Sequence, residues 1–225
     1  VALNFTKVRG LALRGLTVRD PESFFLRLGE TRDFAVEDVT LEAPHARPNQ
    51  DGVHLGGFCE NGAIRRIRGV GALCPNDDMV ALNADDGMDH VLCQGMVAGA
   101  IEDVTVEKIR AESAYTFVRL LCVKERIRNV VVSDVQGGCR THAINLDRWR
   151  FSAGEVTGLI ENVTLKDFRL TQVGADRILI PIQANVKNLR IENFQRADSE
   201  TSTKTLVLDN GRADSLVICG LTDGQ

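Results

Sequence analysis

The chain has no stretch of ten or more residues with helical periodicity between its short apolar runs. Strand–helix–strand crossovers are thereby excluded, because parallel strands joined that way need the helix. No apolar run is long enough to span a membrane, and no signal peptide is visible. Basic residues never gather into one run and the formal net charge is −4, which weighs against a nucleic-acid partner. The six cysteines, at 59, 74, 93, 122, 139 and 219, form no CxxC pair and show no metal-ligand spacing. Two or three of them read as small buried apolar groups stacked inside the coil, with disulfides left open. No Pro/Gly/Ser linker or block of like charge interrupts the sequence, so a single domain over 1–225 is expected. Aromatic residues are few, with one Trp and one Tyr.

What the chain does have is a repeat. Branched apolar residues recur in Leu13–Val18, Val36–Leu41, Ile64–Ile67, Ile101–Val106, Ile127–Val132, Ile160–Leu165 and Val186–Ile191. Successive starts lie 23, 28, 37, 26, 33 and 26 residues apart. Self-similarity at such a period indicates a solenoid. Each unit carries a second short run: Phe25–Leu28, Val53–Leu55, Val80–Leu82, Val118–Leu120, Ile144–Leu146, Ile178–Ile180 and Leu206–Leu208. These alternate with period two, so one face of each strand is buried.

A leucine-rich repeat would hold a constant length with Asn or Cys at a fixed place, and these units do not. A β-sandwich would need hairpin turns between most strands, and Asn-Gly or Asp-Gly pairs are only occasional. The remaining architecture is an all-β, right-handed parallel β-helix of about eight rungs. The first rung of such a coil needs covering. Val1 stands almost directly at the repeat, so the expectation is a coil without an upstream cap.

Two second strands are entered by acidic turns: Asn49-Gln50-Asp51-Gly52 before Val53, and Asn76-Asp77-Asp78 before Val80. Asp51 and Asp78 each stand two places before the first apolar residue of their strand. In successive rungs such positions lie roughly 4.8 Å apart. Asp77, one place earlier, points to the other side of the turn. Like charges this close raise at least one pKa. A protonated and an ionised carboxyl side by side are what glycoside hydrolysis requires. Asp51, Asp77 and Asp78 are therefore the candidate catalytic residues. No cofactor or metal is expected for that chemistry, and the partner implied is a polysaccharide or oligosaccharide.

Candidate substrate-binding residues surround them. His54 alternates onto the same surface as Asp51. Asn83 and Asp86 leave the Val80 strand at its far end, where Asp85 and Asp86 bind substrate, bind calcium or cap the turn. His142 stands two places before Ile144, in the register of Asp51 and Asp78. Arg140 or Arg119 offers a fork for a substrate carboxylate. Trp149, between two arginines, is a sugar-stacking platform or an edge cover. The interval from Asp86 to Ile101 is a long insertion, placed to shape a binding face.

Two other readings remain open. A calcium-dependent polysaccharide lyase would take its metal site from Asp51, Asp77, Asp78, Asp85 and Asp86, and its base from Arg119 or Arg140. A non-catalytic carbohydrate-binding β-helix would repeat aromatic platforms, and the scarcity of Trp and Tyr counts against it.

The Asn49-x-Asp51-Gly52 turn followed by Asp77-Asp78 in the next coil resembles glycoside hydrolase family 28, the polygalacturonase family. The resemblance implies a right-handed β-helix, a pectin-like substrate and an inverting mechanism. By it, Asp78 is the general acid, and Asp51 with Asp77 positions and activates water. The substrate class favours a secreted or periplasmic setting, and the location itself is left open. The family's Gly-His-Gly motif has no match, its place reading Ser113-Ala114-Tyr115-Thr116-Phe117. Its Arg-Ile-Lys motif is also absent. Arg140-Thr141-His142 lies near that rung with a different pattern.

Overall fold

The computed structural model describes residues 1–152, 154–198 and 200–222. Its strands stack in two parallel columns. The first contains β1 (Leu3–Thr6), β3 (Leu26–Gly29), β5 (Val53–Leu55) and β7 (Asp78–Asn83). It continues through the C-terminal halves of β8 (Ile101–Leu121) and β9 (Arg126–Asp147) to β11 (Ile178–Ile182) and β13 (Lys204–Leu208). The second column contains β2 (Ala12–Arg19), β4 (Arg32–Glu42), β6 (Cys59–Val70), the first halves of β8 and β9, β10 (Leu159–Val173), β12 (Asn185–Arg196) and β14 (Arg212–Thr222). Every pairing is parallel. The chain alternates between columns, one turn per rung, and the result is a parallel β-helix. Among the described residues the one helical turn is the 3-10 segment Val91–Cys93.

The interior is built by stacking. Val53, Val80, Val118 and Ile144 lie one above another in the first column. Val36, Ile64, Val106, Val132, Leu165 and Ile191 do so in the second. All ten are buried. Phe168 and Phe194 stack at 5.4 Å between centroids. Cys59, Cys74, Cys122 and Cys139 are buried within the coil, and all six cysteines are free thiols.

The corners of the second column explain one departure from the sequence-based expectation. Asp33, Asn61, Asp103, Asn129, Asn162 and Asn188 share one register position, and all have positive φ. Five residues later Asp38, Arg66, Lys108, Asp134, Asp167 and Asn193 form a second such column. Asn and Asp tolerate this left-handed conformation better than other chiral residues. Their side chains also bond rung to rung: Asn129 Nδ2 donates to Asp103 Oδ1 at 2.8 Å, Asn162 to Asn129 at 3.0 Å, and Asn188 to Asn162 at 2.9 Å.

Because the two corner columns are alike, Val36-Glu37-Asp38-Val39 and Ile101-Glu102-Asp103-Val104 look equivalent in sequence. They are not. Asp38 belongs to the second of these corner positions and Asp103 to the first. Ile64 therefore pairs with Val106, and Ile101 with Cys59, which corrects the expected alignment of Ile64 with Ile101.

A β-branched residue at such a corner loses both the left-handed tolerance and the ladder bonds. Asn162→Val is expected to cost about 2–3 kcal/mol, and Asn162→Gly less. Chemical denaturation of the two variants beside the parent checks the order.

Candidate active site

The acidic turns are held by their own surroundings. Gln50 is fully buried between two backbone partners: its Oε1 accepts from Arg47 N–H at 2.8 Å and its Nε2 donates to Pro21 O at 2.8 Å. Asn49 has φ +58°. Gly52 is required because a Cβ there would lie 2.5 Å from Met79 O. The backbone ladder runs through the turns, with Phe25 N–H to Asp51 O at 2.8 Å and Gly52 N–H to Asp78 O at 2.9 Å. Asp77 Oδ1 accepts the Asp78 N–H at 3.0 Å.

Asp51, Asp77, Asp78, His54, Asn83, Asp86 and Arg119 line one cleft, with about 40 Å³ of enclosed space. Asp51, Asp78 and His54 are buried, whereas Asp77 and Asn49 are half-buried at the mouth. Burial pushes the Asp78 carboxyl up to about 8; Arg119 opposes this, and the Asp77 and Asp51 charges add to it. Burial, then the Asp77 charge, raises Asp51 well above the usual carboxylate range. His54 Nδ1 lies 2.7 Å from Asp51 Oδ2. Burial lowers His54 to about 4, so it is neutral at physiological pH. The neutral ring donates to Asp51 when that carboxyl is ionised and accepts from it when protonated.

Arg119 spans the cleft. Its Nη2 meets Asp147 Oδ2 at 2.5 Å and its Nη1 lies 3.6 Å from Asp78 Oδ2, while its buried Nε has no partner. Asp147 and Arg119 are adjacent-rung partners two residues out of step: Asn145 pairs with Arg119 and Asp147 with Leu121.

Asp86 lines the cleft, but its oxygens are occupied. They accept from the backbone N–H groups of Arg150 (2.9 Å), Phe151 (3.0 Å) and Ser152 (2.8 Å). Asn83 Oδ1 accepts the Asp86 N–H, and Asn83 Nδ2 donates to Asp86 O. Asp85 likewise accepts from Val123, Lys124 and Glu125 N–H. This pair ties loops together. Saturated carboxylates are poor calcium ligands, and among the described residues the one trio of close acidic groups is Glu60, Glu102 and Asp103, on another part of the coil.

Arg140, His142 and Trp149 lie outside the cleft lining. Arg140 donates to Ser113 O at 2.7 Å and Asn76 Oδ1 at 2.8 Å, with its guanidinium over the Tyr115 ring at 5.7 Å. His142 Nδ1 meets Ile178 O at 2.6 Å. Trp149 is exposed, and its backbone N–H points to Asp147 Oδ1 at 3.5 Å.

Six lining residues were not singled out from sequence: Phe24, Leu92, Cys93, Leu121, Arg150 and Phe151. Nor was Arg27, buried on β3 in register with His54. A charged residue inside an apolar strand was the signal available for Arg27. For Leu92 and Cys93 the signal was the long insertion from Asp86 to Ile101, which marked the segment and not the residues.

The fold and its acidic cleft define a β-helix whose outer face gathers carboxylates from adjacent turns. Comparison with known proteins gives this class a narrower likeness. The chain is 21% identical over 169 residues to a polygalacturonase of Medicago sativa, covering 75% of this chain and 36% of that protein. It is 24% identical over 106 residues to one of Brassica napus, covering 47% and 25%, and 22% over 121 residues to one of Persea americana, covering 52% and 26%. The chain thus spans about a quarter to a third of the length of the curated relatives it matches. No family model matches it. It is a divergent, polygalacturonase-like β-helix.

Asp78 is protonated in the folded chain at pH values where it ionises in the unfolded chain. Its native contribution is therefore fully present below about pH 4 and declines as pH rises toward about 8. Asp78→Asn is expected to raise the thermal midpoint near pH 8, by roughly 1–2 kcal/mol in stability, with the gain vanishing near pH 4. Melting curves of parent and variant across that range check the sign.

Proposed function

We propose that the chain is a glycoside hydrolase that cleaves a polysaccharide or oligosaccharide by carboxylate acid/base chemistry with inversion. The observation that carries this reading is the meeting of Asp51, Asp77 and Asp78, from two adjacent turns, around a cleft with room for water. The space of about 40 Å³ exceeds what one water needs.

Asp78, which holds its proton at neutral pH, protonates the leaving glycosidic oxygen. A carboxylate of the remaining pair takes a proton from water as that water attacks the anomeric carbon. The C–O bond to the leaving sugar breaks, the water oxygen bonds to the anomeric carbon, and both protons are accounted for. His54 orients Asp51. Arg119, bound to Asp147, holds its guanidinium beside Asp78. The similarity to polygalacturonases makes a uronic acid polymer the first substrate to try, although the Gly-His-Gly and Arg-Ile-Lys motifs are missing.

A panel of glycans, read for both reducing ends and unsaturated products, tests the reading. Reducing ends without unsaturated product are expected, unaffected by a calcium chelator. Activity should fall as pH rises through about 8. Asp78→Asn is expected to lower kcat by about 10²–10⁴-fold, and an aryl glycoside with a good leaving group should restore it. If that substrate rescues Asp77→Asn instead, the acid role moves to Asp77. Unsaturated product lost on chelation would overturn the hydrolase.

A further inference from the structure

We infer that the cleft takes the end of a sugar chain rather than its middle, because the row of outward residues beside the catalytic carboxylates is walled off on one side. This rests on the hydrolase reading and deepens it.

A polymer cut internally needs an open path on both sides of the cleft. Here the insertion between β7 and β8 folds back over the preceding rungs. The Val91–Cys93 turn is anchored by Arg27, whose Nη1 donates to Leu92 O at 2.7 Å and Nη2 to Gln94 O at 3.0 Å. Arg27 is the register neighbour of His54, one rung back. Where an open groove would continue along the stack, the Arg27 position is therefore capped by backbone. Met96 lies against Gly29 and Gly56: a Cβ at either would meet its sulfur at 2.6 Å. Gly57 N–H to Val97 O and Phe58 N–H to Ala100 O hold the rest of the insertion down. Leu92 and Cys93 then form part of the cleft wall.

The wall is braced from the other loop. His90 stacks on Phe151 at 4.3 Å, 16° from parallel, and Ser152 Oγ accepts the Gly87 N–H at 3.1 Å. That second loop is itself pinned by the Asp86 carboxylate. These contacts are side-chain and backbone bonds in a built structure, rather than a loose cover.

On the opposite side Arg119 of β8 lines the cleft, and Tyr115 lies earlier on the same strand. Thr116 pairs with Asp78, and the N–H of Tyr115 just before it donates to Pro75 O at 3.3 Å, in the turn that leads to Asp77. Tyr115 is 40% exposed, with Arg140 over its ring. A sugar leaving the carboxylates in this direction meets an aromatic face. The terminal sugar therefore sits against the Leu92–Cys93 wall and the remainder of the chain leaves across Tyr115.

Short galacturonate oligomers, labelled with a bulky fluorophore at either the reducing or the other end, provide the test. Binding is read by anisotropy on Asp78→Asn, and turnover by product size on the parent chain. Expected are release of the terminal sugar from the first turnovers and loss of binding with a label at one end only. Tyr115→Ala should raise KM for longer oligomers several-fold while sparing the shortest one cleaved. Arg27→Ala, which frees the wall, should add longer products.

A ladder of mid-length products, with both labels tolerated, would overturn the end-acting cleft and leave the hydrolase standing. End-selective binding without any turnover would overturn the hydrolase and keep the closed end. Failure of both labelled and unlabelled oligomers to bind or be cut would overturn the two together.

Discussion

The site depends on the backbone ladder that runs through the two acidic turns. Phe25 donates to Asp51 O and Gly52 donates to Asp78 O, so each turn lies directly over the next. Parallel strands stand about 4.8 Å apart, and their register leaves Asp51 and Asp78 no freedom to separate by sliding. Buried carboxyls at that spacing cannot both ionise cheaply. The raised proton affinity of Asp78 follows from backbone geometry and burial together, with Arg119 too weak a counterweight to undo it.

The same residue type does different work a few positions on. Asp78 enters β7 with an oxygen 3.6 Å from the Arg119 guanidinium. Asp85 and Asp86, just past the end of β7, meet loop backbones and take three N–H groups each. A carboxylate that accepts several N–H bonds is satisfied and structural. One whose neighbours are carboxyls and a shared arginine is poised to exchange a proton. The Asp86 clamp ties the Arg150–Ser152 backbone donors beside the cleft, and the Asp85 clamp ties those of the turn between β8 and β9.

Much of the fold was legible in the sequence. Period-two apolar runs, their recurrence and the absence of helical stripes lead to a parallel β-helix, and the chain has one. The register of the acidic turns was legible too, because Val53, Val80, Val118 and Ile144 mark it plainly. The alignment failed at Ile64 and Ile101, where two left-handed corners five residues apart carry nearly the same tetrapeptide. Among the binding candidates, His54, Asn83, Asp86 and Arg119 share the cleft with the three carboxylates, whereas Arg140 and His142 are engaged by backbone carbonyls outside it. A position in register says which residues are neighbours, but not which way a long side chain turns.

By itself the sequence determined the coil and the meeting of Asp51 with Asp78, because both follow from strand periodicity and stacking, which are local rules repeated. Only the tertiary structure decided what lies above them. The insertion after β7 and the loop after β9 have no repeat to index them, and their course is set by bonds to distant residues: Arg27 to Leu92 and Gln94, Asp86 to Arg150–Ser152. Contacts of that kind, between residues some 65 positions apart, leave no periodic trace in the chain that makes them.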